Sequence, residues 1–198
     1  MISSILRKKE QNVSIWSAGK TRELFLHPAG SSYAARDFLI RISSADVEEE
    51  TSAFTSLPGF HRILMPLTAA IKLVHEGHRQ TLIRPYQTGE FEGGWNTACY
   101  GKCSDIGIML AEGWEGSLFA ARPGVFGCEK GFTGVYALID HADIKAEAGG
   151  EELSGSLNQG DFMIIETPRC EAVLTLSSTA LLYGAVIANI YQATHRQD

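Results

Sequence analysis

The sequence has no excess of positive charge. Its 198 residues include 17 Lys and Arg against 23 Asp and Glu, which gives a formal net charge of -6 and a pI near 5.5. Proteins that bind nucleic acids or anionic membranes depend on clustered Lys and Arg for affinity. The composition therefore argues against both partners, and any site for an anion must be local.

Long apolar segments are also absent. The longest run, from Thr179 to Asn189, is shorter than the roughly 20 residues that cross a bilayer as a helix. Residues 1–10 lack the apolar stretch of about 7 to 15 residues that a secretory signal contains. We therefore expect a cytoplasmic protein.

Cysteine is scarce and dispersed. The four cysteines stand at positions 99, 103, 128 and 170, and no second Cys or His pair lies near Cys99 and Cys103 at zinc-site spacing. A chain of this length can bury a core without disulfide bonds. Reduced, structural thiols are the prediction.

Motifs of metal, nucleophile and phosphate sites are missing. No His-x-His occurs, and His75 and His78 flank a predicted hairpin tip, so we interpret both as surface histidines. We likewise interpret His27, His141 and His195 as turn or tail residues. No Gly-x-Ser-x-Gly elbow is present, and the Gly-Lys-Thr at 19–21 lacks the earlier glycine of a P-loop. The expectation is a protein without metal or cofactor.

Short apolar or alternating segments, separated by Gly, Pro, Ser or Asp, recur along the chain. Such spacing predicts an all-β protein, with a sandwich, jelly roll or barrel as the candidate architectures. The predicted strands are 24–26, 38–42, 63–67, 71–74, 81–83, 106–110, 117–121, 135–139, 142–148, 162–165, 173–176 and 180–190. One weak helical pattern, at 44–52, predicts a short turn or helix.

Two of these strands carry an arginine among apolar residues. Arg41 interrupts the run 38–42, and Arg62 directly precedes the run 63–67. A guanidinium inside a β-rich core costs several kcal/mol unless it is paired, and it does not lose its charge. The chain must therefore supply carboxylates or leave a pocket for an anionic ligand.

Strand alternation places Arg41 and Ser43 on one face and the neighbouring isoleucines on the other. If the polar face lines the mouth of a barrel, the guanidinium can hold a carboxylate through two parallel hydrogen bonds. Ser43 or Thr21 would then supply a further donor. The alternative, equally supported, is that Arg41 pairs with Glu23 or Asp105 and fixes the barrel.

The second arginine lies near a turn. Arg62 and His61 follow the turn at 58–59, at a strand start where side chains often overhang a cavity. The alternative is that Arg62 braces that loop. Trp16 and Phe54 are candidates for a pocket wall or for ordinary core aromatics.

Five segments, in this order and spacing, resemble the HutD/Ves family of cupin-like bacterial proteins, which is associated with histidine utilisation. They are Trp16–Glu23, Arg41–Val47, Phe54–Arg62, Phe91–Gly93 and Cys103–Met109. The last is similar to the family's Asp-hydrophobic-Asn-x-Met phrase, with Gly107 in place of Asn. Ala18 and Gly19 stand where the family has two glycines.

The resemblance implies a jelly roll, or double-stranded β-helix, with two cupin-like halves and without the usual metal ligands. Residues 1–198 would form one compact unit, with the junction of the halves near residues 112–127. The turn at 160–161 also resembles one that opens a cupin strand. Asp105 and Met109 join the candidate site by resemblance only, which completes the set Arg41, Arg62, Thr21, Ser43, Trp16, Glu23, Phe54, His61, Asp105 and Met109.

Three functions follow as hypotheses. The first is a binder of a small carboxylate, such as urocanate, formiminoglutamate or formylglutamate, that regulates histidine utilisation. The second is a metal-free isomerase or hydrolase of the same pocket, with Glu23 or His61 as proton carrier. The third is a structural or interaction protein with internally paired arginines. A homodimer is a further expectation, because jelly rolls often cover exposed strand edges by pairing them.

Overall fold

A computed structural model of the protein describes residues 1–193, and its regular structure is almost all antiparallel β-strand, which confirms the all-β prediction. His195 lies outside the described residues. The elements are β1 (Ile2–Leu6), a 3-10 turn (Lys8–Glu10), β2 (Asn12–Trp16), β3 (Gly19–His27), β4 (Ile40–Val47), β5 (Thr51–Ala53), β6 (Phe60–Pro66), β7 (Ile71–His75), β8 (Arg79–Ile83), β9 (Gly89–Glu92), β10 (Thr97–Tyr100), β11 (Cys103–Ala111), β12 (Trp114–Ala121), β13 (Gly124–Cys128), β14 (Gly131–Ala137), β15 (Ala142–Ala148), β16 (Glu151–Leu157), β17 (Phe162–Thr167), β18 (Ala172–Ser177) and β19 (Ala185–Gln192). Within this described part of the chain, no helix is long and apolar enough to span a bilayer.

The chain divides into two compact units. The central unit comprises residues 12–112, and the terminal unit comprises residues 1–11 together with those from 113 on. Because β1 pairs with β17, the first strand completes a sheet of the terminal unit. The division at 112/113 falls at the start of the segment in which the sequence predicts a junction.

The central unit consists of two antiparallel sheets. Six strands form the order β2-β3-β4-β11-β6-β9, and four form the order β5-β10-β7-β8. In the six-stranded sheet, β11 pairs with β4 on one side and with β6 on the other. The arginine-bearing strands therefore lie on either side of one shared neighbour.

Two local predictions for this unit need correction. Of the short turn or helix predicted at 44–52, no helix forms: β4 continues to Val47, and a bend at residues 49 and 50 leads into β5. His75 is not a surface residue, since it is 3% exposed and its Nδ1 lies 2.8 Å from the Thr97 hydroxyl. It occupies the buried face of β7 with Ile71 and Leu73, and the tip of the hairpin comes one residue later.

The terminal unit also has two sheets, in the orders β1-β17-β14-β19-β12 and β13-β18-β15-β16. Its interior is an apolar cluster drawn from both sheets: Ala121, Cys128, Val135, Ala137, Ala142, Ile144, Ala146, Ala148, Leu157, Met163, Ile165, Ala172, Leu174, Leu176, Ala185 and Ile187. The predicted alternating strand at 142–148 is β15, with alternate residues buried.

The turn before β17 holds a buried carboxylate. Oδ1 of Asp161 accepts the backbone N–H of Lys8 at 2.9 Å, and Oδ2 accepts Arg7 Nη1 at 2.8 Å and the N–H of Asn158 at 3.1 Å. Asp161 is 4% exposed, so its charge is buried but fully hydrogen-bonded. This carboxylate ties the segment around residues 7 and 8 to the β17 turn.

A glycine opens one strand in each unit where two backbones approach closely. Gly19 begins β3 at a φ of 155°, and a Cβ there would lie 2.0 Å from the Asp46 carbonyl oxygen. Gly131 begins β14 at a φ of 148°, and a Cβ there would lie 2.3 Å from the Ile190 carbonyl oxygen. Both units therefore need a residue without a side chain at the start of a strand.

Candidate functional site

A cavity of about 300 Å³ lies in the central unit. One face of the six-stranded sheet supplies most of its wall, and the remainder comes from β5, from β10 and from loop residues. The candidate residues that line it are Trp16, Thr21, Glu23, Arg41, Ser43, Phe54, Arg62, Asp105 and Met109. The structure thus brings together every candidate residue except His61.

Strand register explains this convergence. Met109 on β11 stands opposite Arg41 on β4 and opposite Arg62 on β6, so the three form one row across the sheet. Gly107 forms the next row with Ser43 and Leu64. Since neighbouring strands are about 4.8 Å apart, the backbones of the two arginines are roughly 10 Å apart.

Arg62 is buried without a counter-ion. It is 3% exposed, and no carboxylate of residues 1–193 forms an ion pair with it. Its Nη2 donates to the backbone carbonyl of Thr55, and its Nε has no hydrogen-bond partner. The guanidinium carbon lies 5.6 Å from the ring centroid of Phe54 and 5.8 Å from that of Phe91. Arg62 does brace the loop, as one alternative predicts, but within residues 1–193 no acceptor is found for its Nη1 or Nε.

Arg41 is only partly neutralised. It is 7% exposed, its Nη1 donates to the Ser43 hydroxyl at 2.9 Å, and its Nε lies 3.6 Å from Oε2 of Glu23. That distance permits an ion pair but is too long for a hydrogen bond, so Nε has no hydrogen-bond partner. The Tyr33 ring lies 4.4 Å from the guanidinium carbon. Of the two predicted partners, Glu23 pairs with Arg41 and Asp105 does not.

The electrostatics of the two arginines agree with this geometry. Burial lowers the pKa of Arg41, while Glu23 and Tyr33 oppose that shift. Burial also lowers the pKa of Arg62; Tyr33 opposes the shift, and the like charge of Arg41 adds to it. A guanidinium stays charged even so, because its ordinary pKa is above 12. The cavity therefore holds two positive charges and one nearby carboxylate at this end.

Asp105 lies on the same face of β11, four residues before Met109. Burial and the negative charge of Asp46 raise the pKa of Asp105 to about 7, although the backbone N–H of Ala45 donates to the carboxylate and opposes that shift. Burial and Asp105 also raise the pKa of Cys99, which lines the cavity, to about 11. That thiol is therefore protonated near neutral pH, as predicted for a structural cysteine.

Aromatic rings line both ends of the cavity: Tyr33, Phe54 and Phe91 lie near the arginines, and Trp16 lies in the row beyond Asp105. Trp16 Nε1 donates to the Thr21 hydroxyl at 3.1 Å, which fixes the indole at the wall. Phe54 and Phe91 pack edge to face, with ring centroids 5.3 Å apart. Tyr33, which the sequence did not suggest, reaches the cavity from the loop between β3 and β4.

His61 does not line the cavity. Strand alternation turns it to the face of β6 opposite Arg62, where Nδ1 lies 2.9 Å from Glu92 and Nε2 lies 3.3 Å from Glu90. The prediction that His61 overhangs the same cavity as Arg62 does not fit this geometry. It is a half-exposed surface residue between two carboxylates.

Residues 1–193 contain no group of three or more His, Cys, Asp or Glu side chains that could hold a metal ion. The cavity presents guanidinium, hydroxyl and aromatic groups, together with the carboxyls of Glu23 and Asp105. Such a wall suits a small organic anion, because guanidinium groups form paired hydrogen bonds with carboxylates.

Paired antiparallel sheets around an interior cavity define a cupin-like protein. A model of the HutD family matches residues 8–183, and the chain belongs to that family, as its motifs predict. A search of curated protein sequences found no significant match.

Solved structures support the cupin-like fold. A conserved protein of unknown function from Pseudomonas aeruginosa PAO1 has a TM-score of 0.82 and 21% identity, covering 96% of this chain and 99% of that one. HutD from Pseudomonas fluorescens SBW25, in a formate condition, has a TM-score of 0.74 and 20% identity over 98% and 100% of the two chains. Oxalate decarboxylase from Bacillus subtilis has a TM-score of 0.67 and 8% identity over 98% and 78%.

Proposed function

We propose that this HutD-family protein acts in the cytoplasm and binds a small carboxylate in the cavity of the central unit. The carboxylate contacts Arg62 and Arg41 in parallel hydrogen bonds, with the Ser43 hydroxyl nearby. Binding regulates histidine utilisation, and urocanate, formiminoglutamate and formylglutamate are the first ligands to consider. The formate condition of the Pseudomonas fluorescens relative adds formate as the smallest probe.

The single observation that carries this proposal is the state of Arg62. A buried guanidinium that lacks a counter-ion is expensive, and natural proteins keep such groups where a ligand completes them. Here the group lines a cavity of about 300 Å³, its Nη2 donates to the Thr55 carbonyl, and the like charge of Arg41 repels it. A carboxylate would supply the missing acceptor and the missing charge together.

The experiment is a thermal-denaturation series with the full chain and each of these four acids. A ligand at 100 times its Kd stabilises the folded state by about 2.7 kcal/mol, which corresponds to roughly 5 to 11 °C for a domain of this size. We expect such a rise with at least one acid, and calorimetry should give the matching Kd.

Arg62→Met removes the buried charge and keeps an apolar side chain of similar length, and we expect it to abolish the response. Arg84→Met is the matched control, because Arg84 is exposed and does not line the cavity. The proposal fails if no acid binds the unmodified protein, or if Arg62→Met responds as strongly as the control.

A second candidate function is a metal-free isomerase or hydrolase in the same cavity. The observation in its favour is the Asp105 carboxyl, whose pKa of about 7 suits proton transfer at neutral pH. Glu23 also lines the cavity and remains a candidate proton carrier. Conversion of a bound acid, followed by NMR and lost in Asp105→Asn or Glu23→Gln while binding persists, would favour the enzyme over the binder.

The third hypothesis, a protein without a ligand, requires both guanidinium groups to be bonded to protein carboxylates. Arg41 has Glu23 at 3.6 Å, but Arg62 has no such partner within the described part of the chain. This difference favours a ligand over a purely structural role.

A further inference from the structure

The cavity has two chemically different ends. Arg41, Met109 and Arg62 form the row at one end, and Asp105 lines the other. Since a strand rises about 3.4 Å per residue, the backbones of Met109 and Asp105 are roughly 14 Å apart on the same face of β11. No lysine, arginine or histidine among residues 1–193 forms an ion pair with Asp105.

Gly107 lies between these ends. It lines the cavity in the row between Met109 and Asp105, and it carries no side chain to divide the space. A Cβ there would lie 3.3 Å from both the Ile63 carbonyl oxygen and Leu64 Cδ1. On β11, therefore, only the backbone of Gly107 separates Met109 at the arginine end from Asp105 at the other.

We propose that the cavity selects a bipolar ligand, with a carboxylate at one end and a cationic or strongly N–H-donating group at the other. The carboxylate contacts Arg62 and Arg41, the body crosses Gly107, and the donor group contacts Asp105. This inference rests on the proposed function and adds the class of ligand to it.

Charge balance supports this choice of ligand. With Arg41, Arg62, Glu23 and Asp105 all ionised, the four groups have no net charge. A simple monoanion would then leave one negative charge in a buried site, whereas a ligand that also carries a positive group would not. A monoanion can restore the balance only if Asp105 takes up a proton.

The pH dependence of the two ligand types therefore differs in sign. Asp105 has a pKa near 7, so it is largely protonated at pH 6 and largely ionised at pH 8. The charge of Asp46 on β4 acts on it from the other face of the sheet. The other acids coupled to it are Cys99 on β10 and Cys103 on β11, and burial with Asp105 raises the pKa of these thiols to about 11 and about 12. As the pH rises from 6 to 8, the affinity for a monoanion should fall. The affinity for a bipolar ligand, divided by that for the monoanion, should rise.

The test is calorimetry on the full chain with matched probes: pentanoate against 5-aminopentanoate, and hexanoate against 6-aminohexanoate. At pH 8 we expect 5-aminopentanoate or 6-aminohexanoate to bind at least about tenfold tighter than the acid of the same length without the amino group, a difference of about 1.4 kcal/mol. The advantage should fall below about twofold in Asp105→Asn. It should persist in Glu48→Gln, whose exposed carboxylate does not line the cavity and pairs with Lys20 at 3.4 Å.

The outcomes separate this inference from the proposed function. If pentanoate or hexanoate binds and needs Arg62, but the amino group adds nothing, the bipolar ligand is excluded and the carboxylate site stands. An advantage that survives Asp105→Asn and disappears in Glu23→Gln would place the cation at Glu23 and overturn the inference. If Asp105→Asn does not fold, the unmodified protein decides: the affinity ratio of amino acid to plain acid must rise from pH 6 to pH 8, and a flat ratio refutes the role of Asp105.

Discussion

The two units bury charge in opposite ways. In the terminal unit, Asp161 is buried and accepts three hydrogen bonds, one of them from Arg7. In the central unit, Arg62 is buried, donates to one backbone carbonyl and has no carboxylate partner among residues 1–193. The satisfied charge of Asp161 supports the fold, whereas the incomplete one of Arg62 is the basis of the ligand site that we propose.

The two units also differ in the apolar packing of their interiors. The terminal unit has a large apolar cluster, drawn from both of its sheets, in which alanine is frequent. Smaller apolar clusters occur in the central unit, among them one around Phe38 and Phe60 and one around Leu73 and Phe91. Met109 packs against the first and Phe54 against the second, and both residues also line the cavity. In this unit apolar packing supports the cavity wall.

The largest loss of stability is expected for a variant of the terminal unit that removes the Asp161 carboxylate. Asp161→Ala leaves the donors of Arg7, Lys8 and Asn158 without their acceptor, and we expect a loss of about 3 kcal/mol in the free energy of unfolding. Urea denaturation measures it. Asp143→Ala, on the exposed face of β15, is the control and should stay within about 0.5 kcal/mol of the unmodified protein.

The same carboxylate fixes the sign of a pH effect. Burial by itself raises the pKa of Asp161, but the hydrogen bonds from Arg7, Lys8 and Asn158 outweigh it, so the pKa lies below the ordinary value of 3.8. The stabilisation is present above about pH 4 and is lost as the pH falls through the lowered pKa. Asp161→Ala should therefore resemble the unmodified protein most closely in acid. Equal stability of the two proteins at pH 7 would refute the structural role.

In the central unit, removal of the buried charge is expected to leave stability unchanged or to raise it. Arg62→Met removes an incompletely paired buried charge, so without ligand the free energy of unfolding should stay constant or rise, by about 1 to 4 kcal/mol. Arg7→Met in the terminal unit is the matched variant and should lower stability, because it leaves Asp161 without its counter-ion. If urea denaturation showed an equal loss of stability in Arg62→Met and Arg7→Met, the buried charges of the two units would have the same structural role and the contrast would be refuted.

Alternation along strands explains how much of the site was predictable. It places Arg41 and Ser43 on one face, and the structure agrees, with a bond of 2.9 Å between them. The same rule, applied to Arg62, would have turned His61 away from the cavity, and applied to Ile71 and Leu73 it would have buried His75. Both histidines lie next to turns, but the alternation of the adjoining strand decides where their side chains point.

Other features needed the three-dimensional structure. Tyr33 comes from a loop, where no periodicity predicts direction. Asp105 entered the candidate set through its motif, but the shift in its pKa depends on burial and on Asp46 from the neighbouring strand. The missing counter-ion of Arg62 is likewise a property of the whole fold.

The smallest effect on stability is expected for a glycine variant of the central unit, Gly107→Ala, with Gly131→Ala in the terminal unit as its comparison. Gly107→Ala introduces a Cβ 3.3 Å from Leu64 Cδ1 and from the Ile63 carbonyl oxygen, and Gly107 has no positive φ, so the free energy of unfolding should change by less than about 1 kcal/mol. Gly131→Ala should cost clearly more, because a Cβ there lies 2.3 Å from the Ile190 carbonyl oxygen at a φ of 148°. Carboxylate affinity should show the reverse order: calorimetry should find it weakened several-fold by Gly107→Ala, whose methyl group enters the cavity floor. A large loss of stability in Gly107→Ala would mean that this glycine, like Gly131, serves the fold and not the cavity.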